Sequence, residues 1–109
     1  MLESLLGSIN RERVLIFLHA RGEGYAREIA RFFKTDLDPV QKQLERLEFG
    51  GIIFSRNAGK TRVYALNPRY SFLEELKTLL DKALSFYPDS DKEELLFTRH
   101  RPRRKDKPL

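Results

Sequence analysis

One change of hydrophobic period, at the pair Gly50-Gly51, constrains this chain more than anything else in it. Before that pair Leu37, Val40, Leu44 and Leu47 recur at intervals of three and four. After it, Ile52-Ile53-Phe54-Ser55-Arg56 and Thr61-Arg62-Val63-Tyr64-Ala65-Leu66 are rich in β-branched and aromatic residues and read as strands. The spacing predicts a helix that stops at glycine and runs directly into a hairpin. The loop Asn57-Ala58-Gly59-Lys60 supplies the φ > 0 residues a tight hairpin needs, and Arg56, Lys60 and Arg62 crowd its tip. Asn67-Pro68 ends the sheet.

The helix itself begins in Thr35-Asp36-Leu37-Asp38-Pro39. Asp36 is the better N-cap, and Pro39 falls in the first turn, where a missing N–H is harmless. At about 100° per residue, its apolar residues occupy a sector of about 80°. Lys42 and Arg46 point the opposite way, with Asp38, Gln41, Gln43 and Glu45 on the flanks. One stripe is buried and one face is free. A free helical face followed by a basic hairpin is the sequence shape of a nucleic-acid reader.

Upstream, Ser8 or Asn10 can cap a helix built on Val14, Leu15, Phe17 and Leu18, which should end near Gly22-Glu23-Gly24. Tyr25 reads as briefly extended. A second helix, from about Ala26 to Phe33, buries Ile29, Ala30 and Phe33 and leaves Arg27, Arg31 and Lys34 on a basic outer side. Downstream, Ser71-Phe72-Leu73-Glu74 matches a capping box. The helix it starts carries Phe72, Leu73, Leu76, Leu79, Leu80, Ala83 and Leu84 before Pro88 stops it. That apolar surplus exceeds what a small domain covers and predicts a dimer through this helix. Beyond Pro88 the chain turns polar, with a short turn at Glu94-Leu95-Leu96-Phe97, so the domain is placed at 1–87, its dimerisation helix at about 70–87, and a flexible tail at 88–109.

Composition bounds the chemistry. With 109 residues, 40% of them apolar, the chain can hold one modest core. Cysteine is absent, which excludes disulfides, thiolate metal sites and cysteine nucleophiles. Leu2, Leu5 and Leu6 are broken by Glu3 and Gly7, too short a run for a signal segment or a membrane span, so the expected location is the cytoplasm. The net charge of +5 resides in residues 99–107, where six basic side chains face only Asp106. The body is therefore neutral, and the tail reads equally as a solubilising end or a phosphate-binding arm.

The order helix, helix, free-faced helix, hairpin, and above all Val40-Gln41-Lys42-Gln43-Leu44-Glu45-Arg46-Leu47-Glu48-Phe49-Gly50-Gly51-Ile52-Ile53, resembles the winged helix-turn-helix of bacterial ArsR-type repressors. The likeness covers roughly residues 8–87, with Tyr25-Ala26-Arg27-Glu28-Ile29-Ala30 leading into the motif and Tyr64-Ala65-Leu66-Asn67-Pro68 leaving the wing. Asn-Pro followed by a Phe-Leu-Glu-Glu-Leu helix is similar to small winged-helix proteins found beside, or fused to, nucleotidyltransferase domains. The resemblance implies a mainly α fold with a small β-wing: two helices, a recognition helix, a two-stranded hairpin and a C-terminal dimerisation helix.

Two departures qualify it. Metal-sensing members carry a Cys-x-Cys box or paired acidic and histidine ligands; here there is no cysteine, and His19 and His100 lie far apart, so no metal and no cofactor is expected. The third helix is acidic, with Asp36, Asp38, Glu45 and Glu48 against Lys42 and Arg46, which is unfavourable beside phosphates unless acids accept from cytosine amino groups. No nucleophile elbow or carboxylate pair suggests an enzyme. Two classes remain. One is a homodimeric repressor binding double-stranded DNA through Tyr25, Arg27, Arg31, Asp38, Gln41, Lys42, Gln43, Arg46, Arg56, Asn57, Lys60 and Arg62. The other is a protein-interaction winged helix that docks a partner such as an adjacent nucleotidyltransferase.

Overall fold

A computed structural model describes residues 1–96; Phe97, His100 and the basic run at 99–107 lie outside the described residues. A short helix that the periodicity does not predict, α1 (Glu3–Leu6), leads into α2 (Ile9–Arg21). Ser8, not Asn10, caps α2: its Oγ accepts from the N–H groups of Asn10 at 3.1 Å and Arg11 at 3.2 Å, satisfying two donors that a helix start leaves open. Gly22, at φ 99°, closes the other end. Val14 through Leu18 are all buried, which only a helix surrounded on every side can achieve. Thus α2 is the axis of the core.

The helix α3 (Ala26–Phe32) buries Ile29 and Ala30, while Phe33 is half-buried with its ring edge-on to Phe32. Lys34 takes the left-handed conformation, φ 55°, to turn the chain, and Thr35 N–H donates back to the Ala30 carbonyl. The next helix, α4 (Leu37–Phe49), has Asp36 at the N-cap position as expected, though the carboxylate makes no capping hydrogen bond. Val40, Leu44 and Leu47 face the core, and α4 packs on both α2 and α3. Gly51, at φ 77°, then reverses the chain.

Strands β1 (Ile53–Ala58) and β2 (Thr61–Leu66) pair antiparallel from Ile53↔Leu66 to Ala58↔Thr61. Asn57 and Ala58, expected in the loop, are therefore strand residues, and the turn shrinks to Gly59-Lys60 with only Gly59 at positive φ, 65°. Gly24 forms a single bridge to the other edge of β2: its N–H donates to the Tyr64 carbonyl at 3.0 Å and its carbonyl accepts from Tyr64 N–H at 2.8 Å. A side chain would not fit there, since a Cβ on Gly24 would stand 2.5 Å from Phe17 Cε1.

Helix α5 (Leu73–Leu84) starts after Phe72, with no side-chain cap, so the Ser71 capping box does not form. Leu80 and Ala83 are buried and belong to the core on α2, with Leu76 and Leu84 packed against it. Leu80 and Ala83 are accordingly not available for dimerisation. Phe72 is 62% exposed and Leu73 and Leu79 are half-buried.

The folded unit also does not end at residue 87. Residues 89–96 form a further helical segment, α6, whose Leu95 is fully buried. Arg21 fastens it: the guanidinium stacks 4.4 Å over Phe17, binds Glu28 at 3.0 Å and donates to the Leu95 and Glu94 carbonyls at 3.4 Å. The short apolar run Leu95-Leu96-Phe97 carries no helical periodicity, so the burial of Leu95 could not be read in advance. No helix among the described residues is long and apolar enough to cross a membrane.

Candidate nucleic-acid interface

The free face of α4 exists. Asp38, Gln41, Lys42, Glu45 and Arg46 are all exposed, because α2 and α3 cover only the opposite side of the helix. Gln43 does not share that face: it is 7% exposed, and its Oε1 accepts from Arg11 Nε at 2.9 Å. Its assignment to the interface is corrected. The angle gave the signal, since Gln43 lies only about 40° beyond Leu47 on the helical wheel. The sequence could not show that Arg11 would be there to satisfy its amide.

Around the start of α3, the exposed side of α4 and the hairpin lies a cleft of about 350 Å³, lined by Tyr25, Ala26, Arg27, Leu37, Gln41, Lys60, Thr61, Arg62 and Tyr64. It gathers Tyr25, Arg27, Gln41, Lys60 and Arg62, all singled out from sequence, although they span three separate elements. Among the described residues no carboxylate lines it. Arg31, Lys42 and Arg46 are exposed outside the cleft.

The cations of the hairpin do not form one tip cluster. In the observed register Arg62 pairs with Asn57 and Arg56 with Val63, and alternation along a strand puts these two pairs on opposite faces. Arg56 Nη2 donates to Glu23 Oε1 at 3.0 Å, whereas Arg62 Nη1 donates to Ser55 Oγ at 2.7 Å. Ser55 in turn donates to Glu48 Oε2 at 2.6 Å. Sequence alone does not single out Glu48 and Ser55, whose partnership exists only once β1 folds back on α4, or Glu23, which meets Arg56 only when the hairpin lies beside the turn after α2. The Tyr64 phenol is held above its ordinary range, first by burial and then by the negative charge of Glu48, opposed by Arg62.

Among the described residues no group of three His, Asp or Glu side chains stands where it could hold a metal ion. His19 is instead engaged with Asp81, Nε2 to Oδ1 2.6 Å, tying α2 to α5.

This arrangement of three core helices, a glycine turn and a two-stranded hairpin is a winged helix, with α4 in the position of the recognition helix. Solved structures share it. The chain superposes on YusO of Bacillus subtilis with a TM-score of 0.59 and 23% identity, covering 99% of this chain and 82% of that one. Against a mutant of ZitR from Lactococcus lactis the TM-score is 0.53 with 16% identity over 90% of this chain and 74% of that one. The apo form of that mutant gives 0.55 and 17%, over 95% and 87%. No protein-family model matches the sequence, and no curated protein does. At these identities the similarity establishes the fold.

Proposed function

We propose that the chain is a cytoplasmic transcriptional regulator of the ArsR-like kind, a homodimeric repressor that binds double-stranded DNA without metal or cofactor. The observation that carries this reading is the acid-free cleft, in which Arg27, Lys60 and Arg62 converge beside Gln41 at the edge of the exposed face of α4. Cations on two elements flanking a free helix suit a duplex, because the helix meets base edges in the major groove while its neighbours meet phosphates. Dimerisation is assigned to the uncovered part of α5, around Phe72, Leu73 and Leu79, with Leu76 and Leu84 at its border. A titration of duplex binding against salt tests the reading: affinity should fall steeply as salt rises. A slope near zero, or no binding, removes it.

A second reading is favoured by a different observation. Phe49, at the end of α4, is 95% exposed and Phe54 is 43% exposed, while Asp38 and Glu45 make the free face of α4 partly acidic. Those features suit a protein partner, such as an adjacent nucleotidyltransferase. Replacing Phe49 by Ser would weaken such docking and leave duplex affinity unchanged.

A further inference from the structure

Two arginines of the hairpin are engaged within their own chain: Arg56 with a carboxylate directly, and Arg62 with a hydroxyl that leads to a second carboxylate. Glu48 sits in the last turn of α4, and its Oε2 takes the only proton of the Ser55 hydroxyl at 2.6 Å. The lone pairs of that hydroxyl are thereby left to Arg62, whose Nη1 donates to it at 2.7 Å. Carboxylate, hydroxyl and guanidinium form one polarised chain across both strands, linking the hairpin to the helix behind it. On the other face Glu23 holds Arg56 at 3.0 Å. Arg62 belongs to the cation-lined cleft, yet Glu48 does not line it and reaches Arg62 only through Ser55.

We propose that Glu48, through Ser55, and Glu23 are built-in counter-ions of the wing, which hold Arg62 and Arg56 in the DNA-free chain and compete with phosphate for them. This rests on the DNA-binding reading above. The two acids then set the affinity for any duplex and its dependence on salt, without contacting a base. The competition has a clear electrostatic consequence. A carboxylate released from a cation re-enters water, so each bound phosphate is exchanged against an internal charge as well as against salt ions. Neutralising the acid while keeping its shape should let the duplex gain a full ionic contact. A slope steeper by about 0.9 in log affinity against log salt is expected for one additional neutralised phosphate.

The test uses Glu48→Gln, which keeps an acceptor for Ser55 and loses only the charge, and Ser55→Ala, which cuts the link between Glu48 and Arg62. Two quantities are measured: the order of the Arg62 Nε–H group by nitrogen relaxation in the free protein, and the salt dependence of duplex binding. Both variants should loosen Arg62, and Glu48→Gln should bind duplex several-fold more tightly with a steeper slope. Unchanged Arg62 order in both variants overturns the proposal. So does a Glu48→Gln chain that binds no more tightly than a parent that itself binds duplex. A parent that binds no duplex at any salt instead removes the DNA-binding reading, and the competition with it, while the guanidinium order still reports whether the clamp exists.

Discussion

The phenol of Tyr87 donates a 2.9 Å hydrogen bond to Oε2 of Glu12, a carboxylate only 2% exposed whose other oxygen accepts from Leu2 N–H at 2.7 Å. A residue beyond the end of α5 thus satisfies a charge in the first turn of α2, and the segment before α2 satisfies the rest. Burial, followed by this hydrogen bond and the charge of Glu12, raises the Tyr87 phenol well above its ordinary value of 10.0.

Stability should therefore fall in alkali. The folded chain keeps the Tyr87 proton where the unfolded chain has lost it, so the contribution is complete below about pH 10 and is lost as pH rises from there toward the folded value. Tyr64, raised less, acts in the same direction. Urea midpoints measured between about pH 8 and pH 11 should decline, and Tyr87→Phe should flatten the decline. At neutral pH the same substitution leaves Glu12 Oε2 buried without its donor and should cost about 1–3 kcal/mol.

Gln43 and Gln41 should part company. Gln43→Leu strands the half-buried Arg11 Nε and should cost about 1–3 kcal/mol of stability, with sequence preference on DNA unchanged. Gln41→Ala, on the free face, should leave the denaturation midpoint where it was and change DNA binding. A Gln43→Leu chain of parental stability and altered preference would return Gln43 to the interface.

Gly24→Ala should destabilise by about 1–3 kcal/mol, because the new methyl group meets the Phe17 ring and either the ring or the Gly24–Tyr64 bridge must shift. Thermal unfolding of the variant checks this, and Phe17→Leu should recover part of the loss in the double variant by making room.

The two sides of α5 should respond differently to charge. Leu80→Asp places a carboxylate where the side chain is fully buried and should unfold the chain. Phe72→Asp combined with Leu79→Asp should preserve the helical spectrum and sediment as a monomer. A parent that already sediments as one chain would end the dimer assignment.

Specificity and affinity should separate between helix and wing. Lys42→Ala and Arg46→Ala should relax sequence preference, each costing about 1–3 kcal/mol where the side chain pairs bidentately with a base. Lys60→Ala and Arg62→Ala should weaken all sequences alike and flatten the salt slope. Deleting residues 99–109 should resemble the wing changes if that segment is a phosphate-binding arm, and leave duplex binding as it was if it is a solubilising end. If wing changes alter preference and the helix changes do nothing, α4 is not the reader.

The order of the elements was legible in the sequence because its signals are local. The period changes on either side of Gly50-Gly51 and Asn67-Pro68 marked α4, the hairpin and α5, while α2 was bracketed by Ser8 or Asn10 and by Gly22-Glu23-Gly24, of which the structure uses Ser8 and Gly22. Periodicity reports that a helix has an apolar stripe, but not how wide a sector its neighbours will cover. Because α4 packs on both α2 and α3, its buried sector widened to take in Gln43, and Arg11 supplied the hydrogen bond that makes a buried amide tolerable. For the same reason Leu80 and Ala83 went to the core and Phe72 did not, and Leu95, in an apolar run too short to show a period, was buried by α6 folding back against Arg21. The hairpin was readable, but its register was not, and a shift of one residue decides which face each arginine takes. Propensity and capping are properties of neighbours along the chain, whereas burial, pairing and the partners of Arg56 and Arg62 are properties of neighbours in space.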